Sequence, residues 1–419
     1  MLAQRALILA SGFRLQYRVL RCAAMCFSKV YVLGESEAMT LRLSTACAGV
    51  FAYKRSFAGM DPAAIGEINA LCKKLSIDFV LPSCAETTRF LAAYGRQLTT
   101  PHFPVPSQQV FDALDDKWRF AALCEHLGLP HPKTACFADY PELLNAAQGG
   151  CLTFPMIIKP LRMWGSFGVM KIDSLAQMPN EVEYRPILAE NYIPGRDFCA
   201  FFLCREGRVS RTVSYARSER GVAFGSHPDV DRYARVLIER LGYSGVIGFD
   251  VRQEPDGSIH FIECNPRFWY RMELASIVGL NFIEAGCSQE PPVAPQPLAS
   301  DGIVLPSPRG LLRSLFRPWR LNRHDVGLLK YLARDPLINA RMAVRSLLGA
   351  SKAAGGQIFL WILLCGISAS PVNRRPATGL RLGGAPKLAE AEIGELAPSD
   401  LTNRNRLADP AAVFAAACA

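Results

Sequence analysis

Four side chains with matched chemistry stand close together in this 419-residue chain: Asp250 in GVIGFDVRQEP, then Glu263, Asn265 and Arg267 at alternate positions of FIECNPRF. Between the two runs lies Pro255-Asp256-Gly257-Ser258, a turn signal between two strand-like segments. A loop of two residues (Asp256, Gly257) or of four (Pro255 to Ser258) pairs Asp250 directly with Glu263. Facing residues of antiparallel strands have Cβ atoms about 4.5–5.5 Å apart, and like charges placed there repel. The pair therefore asks for a cation. Strand alternation puts Asn265 and Arg267 on the face of Glu263, and Ile262 and Cys264 on the opposite, apolar face. Two carboxylates and an amide oxygen are hard donors that suit Mg²⁺, with Mn²⁺ as an alternative. Pro266 ends the strand and leaves the site where a ligand can reach it. Taken alone, this stretch fits better with an ordinary solvent-facing hairpin, its carboxylates neutralised by Arg267 or Arg252.

Upstream residues bear on that choice. Lys159 ends the apolar run of FPMIIKP and offers a mobile point charge for phosphate oxygens. The loop WGSFG that follows, with Gly165, Ser166 and Gly168, can fold its backbone N–H groups over phosphates. ILAENYIPG runs from a strand through Glu190 into a Pro-Gly turn, either a plain turn or a hinge whose backbone meets an adenine while Glu190 or Asp197 meets a ribose hydroxyl.

The elements that must carry these groups fall into an ordered series. Residues 5–105 alternate strands (RALILAS, KVYVLG, GVFAYK, IDFVLPS) with helical patterns such as IGEINALCKKL, which predicts an α/β unit with a parallel sheet. Gly12 alone follows the first strand, so the GxGxxG dinucleotide signature is missing. ALDDKWRFAALCEHLGLPHPKT predicts a helix stopped by Gly128, and DRYARVLIERLGY predicts another before the Asp250 strand. Residues 289–308 carry six prolines and read as a linker closing the catalytic body. A basic stretch follows, then the apolar run IFLWILLCGI at 358–367, half the roughly 20 residues a membrane-crossing helix needs, and a tail from Pro371 expected to be disordered.

Half of the residues are apolar and the net charge is +10. Residues 1–308 are nearly balanced, with 31 Lys/Arg against 30 Asp/Glu, whereas 309–352 hold ten basic residues and only Asp325 and Asp335. The body thus needs no polyanionic partner, and nucleic acid is not expected. The 14 cysteines are scattered through apolar runs without metal-ligand spacing and read as reduced core thiols. Arg14, Arg18 and Arg21 follow the first apolar run where a signal peptide needs small neutral residues, so a cytoplasmic location is expected.

Taken in order, DDKWRFAALCEHLGLPHPKT, FPMIIKP, WGSFGV, ENYIPGRDF, RLGYSGVIGFDV and FIECNPRF resemble the ATP-grasp superfamily, and the chain as a whole resembles its predicted carboxylate–amine ligases. The resemblance covers about 115 to 268, and the preceding α/β block resembles the Rossmann-like domain that stands before the grasp there. It implies a mixed α/β (α+β) architecture: a pre-ATP-grasp domain at 1–110; a two-lobed ATP-grasp domain at 111–288, with lobes at about 111–190 and 191–288; the linker; and a basic helical or disordered extension at 309–370, with the tail at 371–419.

What the resemblance implies for single residues is specific. Lys117 and Lys159 match lysines that contact ATP phosphates, and Gly165, Ser166 and Gly168 match a phosphate lid, although Trp164 and Phe167 are bulkier than is usual there. Glu190, Asn191, Tyr192 and Ile193 match the adenine hinge, and Asp197 an acid near the ribose. Asp250, Glu263 and Asn265 match the Mg²⁺ ligands, and Arg267 the arginine that steadies an acyl phosphate. The implied reaction activates a carboxylate with ATP and joins it to an amine; a small-molecule kinase or a non-catalytic nucleotide-binding scaffold are the alternatives. Arg217, Arg220 and His227, between hinge and metal strands, are candidate contacts to the acid. The 309–370 stretch is a candidate for peripheral contact with the inner membrane face.

Overall fold

The computed structural model describes residues 2–161, 168–288, 301–306 and 321–339, together with positions 310, 311, 319 and 341. The lid positions Trp164 to Phe167, the first part of the expected linker, the apolar run at 358–367 and the tail lie outside the described residues.

The first unit is built as its alternating pattern predicts. Strand β1 (Leu2–Ala10) leads to helix α1 (Arg14–Ala23), β2 (Phe27–Gly34), β3 (Gly49–Ala52), α2 (Ala64–Leu75), β4 (Phe79–Leu81) and α3 (Ala85–Tyr94). The strands form a parallel sheet in the order β3-β2-β1-β4. Strand β1 lies between β2 and β4 and is buried on both faces: Leu7 and Leu9 pack with the α2 and α3 side, Ala6 and Ile8 with the α1 side. A continuous apolar run is what such a central parallel strand requires.

Helices α4 (Gln108–Asp115) and α5 (Lys117–His126) come next. Asp116 caps α5 by accepting from the backbone N–H groups of Trp118 and Arg119, each at 3.1 Å. A small lobe follows: β5 (Thr134–Phe137), α6 (Tyr140–Gln148), β6 (Met156–Pro160), β7 (Met170–Ile172) and β8 (Ile187–Asn191), with sheet order β5-β8-β6-β7 and a separate core that includes Phe137, Leu143, Ile158 and Ile187. The large lobe contains β9 (Arg196–Arg205), β10 (Arg208–Arg217), β11 (Gly221–Phe224), α7 (Pro228–Arg240), β12 (Gly245–Gln253) and β13 (Ile259–Asn265), then α8 (Met272–Ile277), α9 (Phe282–Cys287), β14 (Val304–Pro306) and α10 (Arg323–Ala333). Its six-stranded antiparallel sheet runs β13-β12-β9-β10-β11-β14.

Two boundaries differ from the expectation, and the extension takes the helical one of its two expected forms. Phe120, Leu123 and Cys124 of α5 belong to the core beneath β9, β12 and β13, so α5, expected in the first lobe, packs with the second. Val304–Pro306, expected in the linker, is the strand β14 paired antiparallel with β11. The basic extension is in part structural: Leu328 and Ile338 enter the core that joins α1, α8 and α9 to the large sheet. That core is shared by the first unit and the grasp body. Its cause is α1, whose residues from Gln16 to Ala23 are all buried; its two buried arginines must be met by carboxylates from later elements, Arg18 by Glu273 of α8 and Arg21 by Asp335.

Candidate active site

The β12–β13 hairpin sets the site. Asp250 is the direct cross-strand partner of Glu263, Phe249 of Cys264 and Gly248 of Asn265. The loop, however, is neither of the two expected lengths. Glu254 N–H donates to the Ser258 carbonyl at 2.8 Å and Gly257 N–H to the Glu254 carbonyl at 3.0 Å, which leaves the three residues Pro255, Asp256 and Gly257. Gly257 takes φ +95°, the left-handed position such loops reserve for glycine. A three-residue loop alone would move Asp250 out of line with Glu263. The pairing is restored because the register shifts between Asp250 and Val251, whose partner is Phe261. Ile262 is thus an extra residue on β13, a β-bulge. It also removes Ile262 from the apolar face to which it was assigned: Phe261 and Cys264 are core residues, whereas Ile262 is half-buried.

The bulge is used. The Ile262 carbonyl accepts from Lys159 Nζ at 3.4 Å, which ties the end of β6 in the small lobe to β13 in the large one. Lys159 Nζ also pairs with Glu190 Oε1 at 2.7 Å, both side chains almost fully buried. Glu190 on β8 faces Ile157 of β6 in register, so the pair spans neighbouring strands. A buried ion pair of this kind is strongly orienting, because either partner alone would be an uncompensated charge.

Around the hairpin the charges are close and incompletely balanced. Lys117 Nζ, at the start of α5, lies 3.3 Å from Glu263 Oε1. The Cys199 thiol on β9 donates to Asp250 Oδ1 at 3.0 Å, and Asn265 Nδ2 donates to Asp250 Oδ2 at 3.3 Å. Arg267 donates from its guanidinium to Asn265 Oδ1 at 2.7 Å and to the Phe268 carbonyl at 3.1 Å. Burial first, and then the Glu263 charge, push the Asp250 carboxyl up to about 6, against the hydrogen bond from Cys199 and the charge of Arg267. No arginine or lysine forms an ion pair with Asp250 among the described residues.

The hinge is a second cluster. Arg252 pairs with Asp197 at 3.2 Å and donates to the Tyr192 hydroxyl at 3.3 Å. The Tyr192 ring also carries Lys171 Nζ at 4.3 Å from its centroid, a cation–π contact. The backbone of Asn191 and Tyr192 is held by the carbonyls of Lys133 and Pro155, and Ile193 is half-buried beside them. Gly195 has φ +126°, and a Cβ there would come within 1.9 Å of the Gln253 carbonyl oxygen, so only glycine lets the hinge enter β9 against β12. Of the lid, Gly168 is described: it takes φ +71° and its carbonyl accepts from the Tyr184 hydroxyl at 2.7 Å. Gly165 and Ser166 lie outside the described residues.

The structure therefore brings together Lys117, Asp250, Glu263, Asn265 and Arg267, and links Lys159 and Glu190 to them through the bulge. It does not gather the three candidates for the acid. His227 stacks on Phe198 with ring centroids 3.8 Å apart. Since Cys199 contacts Asp250, its chain neighbour Phe198 points through the other face of the sheet, and His227 with it; burial lowers the imidazole below the usual histidine range. Arg217 and Arg220 are exposed at the β10–β11 turn, two strands away from β12. Two participants escaped the reading of the sequence. Cys199 lies on β9 in register with Asp250, as the expected Asp197 does with Arg252, a pairing that period-two alternation exposes only once β9 is known to neighbour β12. Asp115, at the end of α4, lies within electrostatic reach of Arg267, Lys117 and Glu263; its signal is the doubled aspartate of ALDDKW.

With this geometry in view, the architecture defines its class: the chain has the ATP-grasp fold. Residues 183–296 match the family described as "ATP-grasp in the biosynthetic pathway with Ter operon". Among curated proteins, the chain is similar to the arginine-specific large chain of carbamoyl phosphate synthase from Bacillus subtilis, 26% identical over 228 residues, which cover 49% of this chain and 22% of that one. It is also similar to the D-alanine–D-alanine ligase of Stutzerimonas stutzeri, 25% identical over 174 residues, 36% of this chain and 54% of that protein. Among solved structures, carboxyaminoimidazole ribonucleotide synthase from Aspergillus clavatus, complexed with ATP, superposes with a TM-score of 0.53 at 17% identity, over 76% of this chain and 87% of that one. The chain thus spans about a fifth to a half of the length of these curated relatives.

Proposed function

We propose that this chain is an ATP-dependent, ADP-forming ligase that activates a small-molecule carboxylate as an acyl phosphate and joins it to an amine. The observation that carries the reading is the direct pairing of Asp250 with Glu263, continued on one face by Asn265 and Arg267 and met by Lys117. The relatives support it: one is named for carbamoyl phosphate, itself an acyl phosphate, one for ligation of D-alanine to D-alanine, and a solved neighbour holds ATP.

The donor set fits Mg²⁺, since two facing carboxylates, one of them raised to about 6 by burial and by its neighbour, leave a cation-sized electrostatic demand, and the Asn265 amide, whose oxygen here accepts from Arg267, would complete it by turning that oxygen toward them. Bound by Asp250, Glu263 and Asn265, Mg²⁺ supplies charge neutralisation along the triphosphate, and Mn²⁺ meets the same donors. The residues of the chain do the rest. Glu190 to Ile193 present backbone groups to adenine, and Asp197 meets the ribose. Lys159, held by Glu190, and Lys117 hold phosphate oxygens, and Gly165, Ser166 and Gly168 serve as the phosphate lid. A carboxylate oxygen of the acid attacks the γ-phosphorus while the bond to the β-phosphate oxygen breaks, and ADP leaves. Arg267, fixed by Asn265 and the Phe268 carbonyl, holds the acyl phosphate by charge-assisted hydrogen bonds. The amine nitrogen then attacks the acyl carbon; the acyl C–O bond breaks with phosphate departing, and the nitrogen loses its proton.

ADP release measured across a panel of acids and amines, with hydroxylamine as a trap, tests this. Hydroxamate formation that requires both ATP and one acid supports the ligase. ADP release without hydroxamate from any acid assigns phosphoryl transfer to a hydroxyl instead, and no ADP release under any condition assigns a binding scaffold.

A further inference from the structure

The C-terminal segment divides its charges by face. It holds ten basic residues between 309 and 352 and only two acids, Asp325 and Asp335. Both acids are turned inward, 2% and 0% exposed. Asp325 closes a capping box at the start of α10, its Oδ2 accepting from Asn322 N–H at 3.1 Å, while its Oδ1 is buried with no hydrogen-bond partner among the described residues. Asp335 is consumed by α1 and by the segment between β2 and β3, accepting from Arg21, Tyr17, Ser44 and Thr45. What remains on the outside is basic and apolar. Arg323, Lys330, Arg334 and Arg341 are exposed, and among them stand Trp319, Leu337 and Val326, 77%, 64% and 36% exposed.

This grouping is selective: of the six exposed large hydrophobic residues described, these three lie in the short C-terminal segment. A solvent-facing helix that served only solubility would offset its lysines and arginines with acids at neighbouring turns. Here the inward face is anchored in the core through Leu328, Tyr331 and Ile338, so the outer face is held as a fixed platform. No helix of the described residues is long and apolar enough to cross a membrane. Surface attachment needs only cations to meet anionic headgroups and a few bulky apolar side chains to enter the interface.

From this division of charge we infer that the outer face of α10 and its flanks, with Trp319, Arg323, Lys330, Arg334 and Leu337, docks the protein on an anionic lipid surface. Charge complementarity selects that occupant: the exposed charges of this segment among the described residues are all positive, and a few bulky apolar side chains stand with them. The inference is independent of the ligase reading, because the platform is built from α1, α10 and Asp335 and uses none of the residues around Asp250.

Sedimentation of the full-length chain with phosphatidylcholine vesicles, with and without phosphatidylglycerol, tests it. Binding is expected to the anionic vesicles only and to weaken as salt is raised. The combined variant Arg323→Glu, Lys330→Glu, Arg334→Glu should bind about 100-fold more weakly, and Trp319→Ala with Leu337→Ala should weaken binding at unchanged salt dependence. A thermal midpoint equal to that of the parent shows that a variant is folded. Equal binding to neutral vesicles, an undiminished triple variant, or capture of a short DNA duplex with vesicles left unbound would each overturn the inference; so would a parent chain that stays in the supernatant.

Discussion

Asp250 and Asp335 are both aspartates lying beside arginine-bearing segments, and their surroundings act on them in opposite directions. Asp335 is fully enclosed, yet its oxygens accept from Ser44, from the backbone and hydroxyl of Thr45, and from Arg21, whose ion pair is 3.0 Å long. Burial pushes its carboxyl up, but these hydrogen bonds and the Arg21 charge outweigh burial and hold it below the usual aspartate range. Asp250 receives a thiol and an amide, faces Glu263, and is pushed up to about 6. One carboxylate is satisfied by the protein; the other is left wanting a cation. The difference separates a site that holds the molecule together from one prepared for a ligand.

The contrast can be broken or sharpened in four ways. The largest effect is expected for Glu263→Gln, which removes a proposed metal ligand and should lower ADP release at least ~1000-fold, while the thermal midpoint without Mg²⁺ is unchanged or higher. ADP release at the parental rate would show that the hairpin is an ordinary ion cluster.

Asp335→Asn should do the reverse. It leaves the buried Arg21 guanidinium uncompensated, and chemical denaturation should show a loss of about 3–5 kcal/mol, with ADP release per folded molecule retained. A loss below about 1 kcal/mol would mean that the hydroxyls and the guanidinium do not depend on the carboxylate charge.

The third effect is a pH dependence. In metal-free protein Asp250 holds its proton up to about 6, whereas the unfolded chain releases it near 3.9. The folded state therefore binds more protons between those values, and stability falls as pH rises from about 4 to 6. The cost is about 3 kcal/mol at neutral pH, and Asp250→Asn should remove it, as should saturating Mg²⁺. Asp335 has the opposite sign: its contribution is present above the unfolded aspartate value and is lost as pH falls through its lowered folded value. Denaturation midpoints measured from about pH 2 to 7 with chelator, for parent, Asp250→Asn and Asp335→Asn, would show the two slopes apart, that of Asp335 below about 4 and that of Asp250 above it. A parent slope above about pH 4 that Asp250→Asn leaves unaltered rejects the assignment.

The smallest change is Cys199→Ala. It deletes one hydrogen bond to Asp250 and should raise the Asp250 titration midpoint further, worth under about 1 kcal/mol, an effect visible by NMR titration of the carboxyl. A midpoint that falls would mean that the thiol does not donate to Oδ1.

How much of this was open to reading depends on the range of the interaction. Alternation and turn chemistry are local, so GVIGFDVRQEPDGSIHFIECNPR named Asp250, Glu263, Asn265 and Arg267, and IGEINALCKKL named α2 within one residue. The register came out right through two errors that cancel: the loop has three residues, and the Ile262 bulge adds one back. A bulge leaves little trace in sequence, because the extra residue is a strand-forming isoleucine whose cost is met by Lys159, a hundred positions away. The inward turn of Asp335 was equally hidden, its partners lying about 290 to 320 residues upstream.

By itself, then, the amino-acid order determined the succession of elements and the chemical kinds gathered on the hairpin, since propensity, alternation and capping act over a few residues. Tertiary structure alone decided that Cys199 and Lys117 meet Asp250 and Glu263, that His227 lies across the sheet from them, and that a stretch reading as an appendage folds its acids into the core and keeps its cations outside. Those outcomes rest on which strands become neighbours and which charges burial forces to find partners, and burial is a property of the assembled chain.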